Sequence, residues 1–238
     1  MGRIFIGCSG WFYTHWSGTF YPQGMPTKNW FRYYASLFDT VELNSTFYSF
    51  PNSKRAAAWY RSSPKDFRYS VKMNRMVTHV KRLGNVDDDV SRFKEAISPL
   101  REKLACILVQ LPPSFRFTKE NLDRVFGVVE GERRVFVEFR HSSWYSQEAL
   151  DVLRRKGIRA VTVSMKGLPF ILPDYGDVYV RMHGDVNGYA TDYSDERLKE
   201  LGKRLVGRHE DAYIYFNNDY HGFAPKNALF LKGVVEGK

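Results

Sequence analysis

Eight short apolar runs alternate with amphipathic helical stretches along the chain, and this alternation constrains the fold more than any other feature. The runs are Arg3–Ser9, Thr40–Asn44, Arg68–Lys72, Ala105–Leu111, Val135–Arg140, Arg159–Ser164, Asp177–His183 and Ala212–Asn217. The helical patterns that separate or follow them are Thr27–Leu37, Lys54–Arg61, Val86–Lys103, Lys119–Val129, Gln147–Lys156, Asp195–Val206 and Pro225–Val235. Strands that alternate with helices pair in parallel through right-handed crossovers. The sequence therefore predicts an α/β fold in which eight parallel strands form a single TIM-type barrel.

The size of the chain favours one barrel over several domains. It has 238 residues, close to the usual length of one eight-stranded barrel. An open doubly wound sheet is the alternative, but no glycine-rich dinucleotide motif follows the first run. No linker, repeat or low-complexity segment divides the sequence. Residues 1–238 are therefore predicted to form one domain.

The charge balance favours anionic partners. Lysine and arginine number 36 against 26 acidic residues, a formal net charge of +10, which suits nucleic acid or a small anionic molecule. A solvated basic surface is the open alternative, because no basic tail concentrates the charge. Cys8 and Cys106 lie in strand-like runs, which indicates a reducing compartment. No signal-peptide pattern or membrane-spanning apolar stretch is present, so a cytoplasmic protein without a membrane partner is predicted.

Alternate residues of the runs separate into an apolar face and a polar face. The polar face carries Gly7, Ser9, Glu42, Asn44, Ser70, Lys72, Gln110, Glu138, Arg140, Thr162, Ser164, Arg181, His183 and Asn217. In a barrel this face points inward. The polar residues collect at the last positions of the strands, the end at which barrel enzymes carry their sites. A functional site is therefore predicted at the carboxyl ends of the strands.

Charge on this polar face needs a physical explanation. Two carboxylates, Glu42 and Glu138, accompany the cations Lys72, Arg140 and Arg181. An unpaired buried polar group costs roughly 1–3 kcal/mol, and a charged group costs more. One interpretation is that these carboxylates and cations pair with one another and leave no site for a ligand. The excess of cations favours the other interpretation, a pocket for an anionic ligand.

Several motifs resemble those of a known family. They are Gly10-Trp11 with Tyr13 and Trp16, Phe20-Tyr21-Pro22, Val41–Tyr48, Val137–Trp144, Val180–Gly184, Phe216–Asp219 and Asn227-Ala228. Together they resemble the domain-of-unknown-function 72 family, the YecE-like proteins, over nearly the whole length. The resemblance implies a β/α barrel. It implies no established reaction.

Glu42, Glu138 and His183 are the predicted catalytic residues. Convergent carboxylates could act as acid and base, and a histidine titrates in the range needed for proton transfer. The same three side chains could instead bind a divalent metal. The chain has no HxxE or HxH spacing and few carboxylates on the polar face. No metal site is therefore predicted, and the sequence requires no cofactor.

The predicted substrate-binding residues comprise three cations, three aromatic rings and four neutral hydrogen-bonding side chains. They are Lys72, Arg140 and Arg181, then Trp11, Tyr48 and Trp144, then Asn44, Gln110, Asn217 and Asn218. The cations could clamp a phosphate or carboxylate, and the rings could stack on bases or sugars. The alternative for the rings is packing that holds the loops in place.

Three functions remain open from the sequence. The first is a hydrolase-like enzyme acting on a phosphate-bearing or nucleic-acid substrate. The second is a nucleic-acid or metabolite-binding module without turnover. The third is a glycoside-type hydrolase that uses Glu42 and Glu138; direct pairing of these glutamates with arginine would disfavour it.

Overall fold

The structure, a computed structural model, describes residues 2–132, 134–174, 176–208 and 210–237. Each predicted run overlaps a strand, with differences at the ends. The strands are β1 (Ile4–Cys8), β2 (Thr40–Leu43), β3 (Arg68–Lys72), β4 (Leu104–Gln110), β5 (Val135–Glu138), β6 (Thr162–Met165), β7 (Val178–Gly184) and β8 (Ala212–Phe216). The pairs β1–β8, β3–β4, β4–β5, β6–β7 and β7–β8 are parallel. The predicted α/β fold with parallel strands is therefore confirmed.

The strands form two four-stranded sheets, in the orders β1-β8-β7-β6 and β2-β3-β4-β5. The chain divides into two compact units. The first unit comprises Met1–Glu42, Pro64–Phe67 and Thr162–Lys238, and the second comprises Leu43–Ser63 and Arg68–Val161. Closure of the eight strands into a single barrel, and a single domain over residues 1–238, stay predictions.

Apart from the short helix over Ser45–Tyr48, the helices correspond to the predicted amphipathic patterns with changes at their ends. They are α1 (Trp30–Leu37), α2 (Ser45–Tyr48), α3 (Ser53–Ser62), α4 (Asp87–Ile97), α5 (Lys119–Val129), α6 (Gln147–Arg155), α7 (Asp195–Leu205) and α8 (Phe223–Val235). Ser194 caps α7, since its hydroxyl accepts a hydrogen bond from the Arg197 amide at 3.3 Å. The predicted helix over Val86–Lys103 is wrong in its last third. That part forms a 3₁₀ helix over Ser98–Lys103, in which Pro99 cannot donate to the α-helical ladder.

Short helical turns follow six of the strands. The turns are Thr14–Trp16, Ser45–Tyr48, Met76–Val80, Ser142–Tyr145, Gly188–Ala190 and Tyr220–Gly222, after β1, β2, β3, β5, β7 and β8 respectively. Met76–Val80 is a π-helix. A turn of three to five residues is too short to give a helical period in the sequence. These turns were therefore not predicted, although they carry several residues of the candidate sites.

Both faces of the strands are buried. All seven residues of β7 are buried, among them the charged Arg181 and the polar His183. A buried charge is tolerated only when it is paired and hydrogen-bonded. The partners of these side chains therefore determine what the strand ends can do.

Within the part of the chain that the structure describes, no helix has the length and apolar character needed to span a membrane.

Candidate functional site

In the first unit, the carboxylate of Glu42 accepts hydrogen bonds from the side chains of Ser9, Arg181 and Tyr179. Glu42 is the third residue of β2 and is completely buried. Its Oε1 atom accepts from the Ser9 hydroxyl at 2.7 Å and from Arg181 Nη2 at 2.7 Å. Its Oε2 atom accepts from the Tyr179 hydroxyl at 2.6 Å. The carboxylate therefore joins β2 to β7 and to Ser9, the residue that follows β1.

The charge state of Glu42 follows from these contacts. Burial by itself raises the pKa of a carboxyl group, but the Arg181 guanidinium and the hydrogen bonds from Arg181, Tyr179 and Ser9 outweigh it. The net effect lowers the pKa of Glu42 below its usual value. Glu42 is therefore ionised at neutral pH and holds Arg181 in place.

The hydrogen-bond chain continues from Arg181 to the edge of the first unit. Arg181 Nη1 lies 3.2 Å from His183 Nε2, and the Asn217 side-chain amide lies 2.9 Å from His183 Nδ1. The Asn217 atom at this distance is Nδ2, so its NH₂ group faces Nδ1 of the ring. Asn217 keeps a second N–H as a donor and its amide oxygen as an acceptor.

A cavity of about 710 Å³ lies in the first unit beside this chain. Its lining residues are His15, Thr19, Tyr189, Asn217, Asp219, Tyr220 and His221. The turns Thr14–Trp16, Gly188–Ala190 and Tyr220–Gly222 supply four of these seven residues. Of the predicted site residues, Asn217 is the one that lines this cavity.

His15 and Asp219 form a pair in the wall of this cavity. His15 Nε2 donates to the Asp219 backbone carbonyl at 2.9 Å and lies 3.4 Å from its carboxylate. Trp16 Nε1 donates to the same carboxylate at 2.7 Å. Burial raises the pKa of Asp219, opposed by these contacts from Trp16 and His15. The sequence prediction missed His15 and Asp219 because both lie beyond the ends of the strands, where the period of two no longer applies. The signal that could have indicated them was their position within or beside the motifs that resemble the family.

Two predicted binding residues of the first unit have structural contacts. The Trp11 ring packs on Phe31 with centroids 4.9 Å apart. Asn218 is completely buried, and its NH₂ group donates to the Thr191 carbonyl at 2.8 Å and to Asn227 Oδ1 at 2.7 Å. The Trp11 contact ties its loop to α1, and the Asn218 contacts tie loops to α8. Substrate binding by Trp11 and Asn218 stays a prediction.

In the second unit, charged side chains end β3 and β5. Glu138 is completely buried, and its Oε1 atom accepts from Arg140 Nε at 2.6 Å. Gln110 ends β4 and is paired in register with Glu138. Lys72 ends β3, and its ammonium group lies 4.1 Å above the Phe47 ring. The carboxyl ends of three neighbouring strands therefore carry these polar groups side by side.

The pKa of His79 indicates a positive electrostatic field at the strand ends of the second unit. It belongs to the π-helix Met76–Val80 and is partly buried. Burial, followed by the charges of Lys72, Arg140, Arg75 and Arg82, lowers the pKa of His79 to about 4. The four charges that contribute most to this shift are all positive. His79 is therefore neutral at pH 7 and sits in a strongly positive field.

The backbone beside His79 is unusual. Arg82, Leu83 and Asn85 all have positive φ angles, 49°, 61° and 50°. Positive φ is uncommon outside glycine and costs of order 1–3 kcal/mol per residue. The Arg82 guanidinium donates to the Ser114 hydroxyl at 2.8 Å. A π-helix followed by such a turn is a combination frequently found at functional sites.

The predicted aromatic and amide residues of the second unit differ in exposure. Trp144 is buried, donates to the Phe115 carbonyl at 2.8 Å and stacks on Phe139 with centroids 4.1 Å apart. Tyr48 is 75% exposed, and Asn44 precedes the turn that carries it. The contacts with Phe115 and Phe139 give Trp144 a packing role. The exposed ring of Tyr48 has a surface on which a ligand could stack.

The structure thus brings the predicted residues together in two groups. Glu42, Arg181, His183 and Asn217 are connected in the first unit, and Glu138 with Arg140 in the second. That the two groups line one cavity stays a prediction. Among residues 2–132, 134–174, 176–208 and 210–237, no group of three or more histidine, cysteine, aspartate or glutamate side chains could hold a metal ion.

Parallel strands that alternate with helices and end in buried, charged hydrogen-bond clusters define an α/β protein with polar strand ends. The family described as "Protein of unknown function DUF72" matches residues 5–238. The chain therefore belongs to the DUF72 family.

Comparison with individual proteins agrees with this family. The chain is 26% identical to UPF0759 protein YunF of Bacillus subtilis, over 94% of this chain and 92% of YunF. It is 28% identical to UPF0759 protein YecE of Escherichia coli K12, over 52% of this chain and 46% of YecE. The DUF72 protein TM1631 from Thermotoga maritima, of which a crystal structure is known, is 33% identical in sequence to this chain. The two structures have a TM-score of 0.83, over 98% of this chain and 99% of TM1631. The DUF72 protein EF0366 from Enterococcus faecalis, at 22% identity and a TM-score of 0.81 over 98% and 96% of the two chains, shows the same fold.

Proposed function

We propose that this protein binds a phosphate-bearing substrate at the strand ends of the second unit and hydrolyses it. The observation that carries this function is the positive field at His79, to which Lys72, Arg75, Arg82 and Arg140 contribute. Glu138 is the carboxylate at these strand ends, and it holds Arg140 by a 2.6 Å ion pair. A phosphate group would offset the mutual repulsion of the four cations.

Each side chain has a definite role in this function. Arg140, fixed by Glu138, offers a planar fork for two phosphate oxygens, and Lys72 adds a point charge. Gln110 can donate a further hydrogen bond through its amide. Binding of the anion would raise the pKa of His79 toward neutrality. His79 could then accept a proton from the water molecule that attacks phosphorus. It would return this proton to the leaving oxygen as the P–O bond breaks, which releases an alcohol and the free phosphate.

Glu42 and His183 have a supporting position in the first unit. Both are buried, and both contact Arg181. Their catalytic role stays a prediction, and holding Arg181 and Asn217 is the role that their contacts support. A glycoside-type hydrolase is disfavoured, because Glu42 and Glu138 each contact an arginine directly, at 2.7 Å and 2.6 Å.

The pKa of His79 tests the anion site directly. Without ligand we expect NMR titration to give a pKa of about 4. Inorganic phosphate at millimolar concentration should raise it toward 6.5, because the anion offsets the cations. Lys72→Met should raise the pKa in the absence of phosphate and reduce the further rise on addition. Lys119→Met, on the exposed face of α5, is the matched control. A His79 pKa that phosphate does not move would contradict the anion site.

The salt dependence of binding tests whether the phosphate belongs to a nucleic acid or to a small molecule. If the substrate is nucleic acid, single-stranded DNA or RNA should bind at low salt. With four phosphate contacts, binding should weaken roughly 50-fold between 50 and 200 mM salt. A mononucleotide should lose much less affinity. No oligonucleotide binding at 50 mM salt would leave a small anionic metabolite as substrate, and binding of phosphate esters without turnover would favour a binding module.

A further inference from the structure

The cavity of the first unit differs in chemistry from the anion site of the second unit. No lysine or arginine is among the residues that line it in the described part of the chain. Its charged group is the carboxylate of Asp219, which the His15 imidazole contacts at 3.4 Å. A cavity with this charge balance disfavours phosphate and other anions.

The polar groups of the cavity supply every type of hydrogen bond. The Asp219 carboxylate accepts only, and Trp16 and His15 fix its position. His15 donates from Nε2 to the Asp219 carbonyl, so its Nδ1 atom is an acceptor in the neutral imidazole. Asn217 lines the cavity and directs one N–H toward His183 Nδ1, which leaves its second N–H as a donor and its oxygen as an acceptor.

Exposed aromatic rings complete the walls. Tyr189 is 47% exposed and packs edge-on against His183, and Tyr220 is 61% exposed. His221 packs against Tyr220 with ring centroids 4.4 Å apart, at a positive φ angle of 64°. The turn therefore keeps two rings at the cavity at the cost of backbone strain. Rings with a polar tip suit a ligand that has both apolar faces and hydroxyl groups.

We propose that this cavity is a second binding site and that it takes the ring of an uncharged carbohydrate. Each sugar hydroxyl both donates and accepts, which matches the combination of Asp219, His15 and Asn217. The C–H face of the ring matches Tyr220. At about 710 Å³ the cavity is within the usual range for small-molecule sites and holds one or two sugar rings.

Saturation-transfer NMR and calorimetry on the whole protein test this site. The probes are glucose, galactose, mannose, ribose and the disaccharide maltose, with inorganic phosphate as the anionic comparison. We expect at least one sugar to bind with a millimolar or lower Kd that is independent of salt, and to shift the His15 ring resonances. Absence of binding by all five sugars to the intact protein would overturn the proposal, whatever the outcome for phosphate at the second unit.

Two variants test whether the sugar binds in this cavity. Asp219→Asn keeps the size of the side chain and the Trp16 hydrogen bond but removes the charge, and it should weaken sugar binding at least tenfold. Tyr220→Ala should weaken it at least fivefold. Phe12→Ala is the matched control, because Phe12 is a ring of equal exposure, 60%, that does not line the cavity. Sugar affinity unchanged in both Asp219→Asn and Tyr220→Ala would overturn this location.

Discussion

Replacing Arg181 with methionine should destabilise the protein by about 3–5 kcal/mol, the usual loss when one partner of a buried ion pair is removed. Arg181 and Glu42 are both completely buried and joined at 2.7 Å. The methionine would leave the Glu42 carboxylate in a protein interior without the charge of Arg181, next to the neutral donors Ser9 and Tyr179. Urea unfolding followed by tryptophan fluorescence measures the free energy of unfolding.

The double variant Glu42→Gln/Arg181→Met separates this cause from lost packing. Glutamine keeps a side chain that can bond to Ser9 and Tyr179 but carries no charge. We expect it to recover at least half of the stability lost in Arg181→Met. If Arg181→Met is instead as stable as the parent protein, the pair does not hold the strand ends together, and uncompensated positive charge at Arg181 becomes the better interpretation.

Replacing Gly184 with alanine should cost about 3–5 kcal/mol or prevent folding, among the largest losses known for a single methyl group. Gly184 ends β7 directly after His183 and has a φ angle of 100°. An added Cβ would lie 1.7 Å from the Gly188 carbonyl oxygen, a backbone atom that cannot move alone. Either the strand end or the turn Gly188–Ala190 must shift, and with it Tyr189 at the cavity.

Gly207→Ala is the control for backbone conformation. Gly207 also has a positive φ angle, 85°, but an added Cβ would meet nothing within 4 Å. We expect a loss of only about 1–2 kcal/mol, the cost of a left-handed residue with a side chain. Thermal and urea unfolding compare the two variants. Equal losses would mean that the φ angle, rather than the close approach to Gly188, determines the need for glycine at 184.

Much of the fold follows from local patterns. The period of two in the strands and the longer helical period between them depend only on neighbouring residues. They predicted all eight strands, and β3 and α5 with the bounds that the structure shows. Short turns escaped prediction because three to five residues do not establish a period. The π-helix Met76–Val80 and its field around His79 belong to this group.

The sequence alone determined the eight strands, their parallel α/β arrangement and the polar side chains at their ends. Only the tertiary structure decided how these side chains pair. Arg181 meets Glu42 across 139 positions, and Trp16 meets Asp219 across 203. It also decided that Trp144 packs inside while Tyr48 stays exposed. Periodicity gives the face of a strand on which a residue lies, but the choice of partner depends on contacts between segments that are distant in the chain.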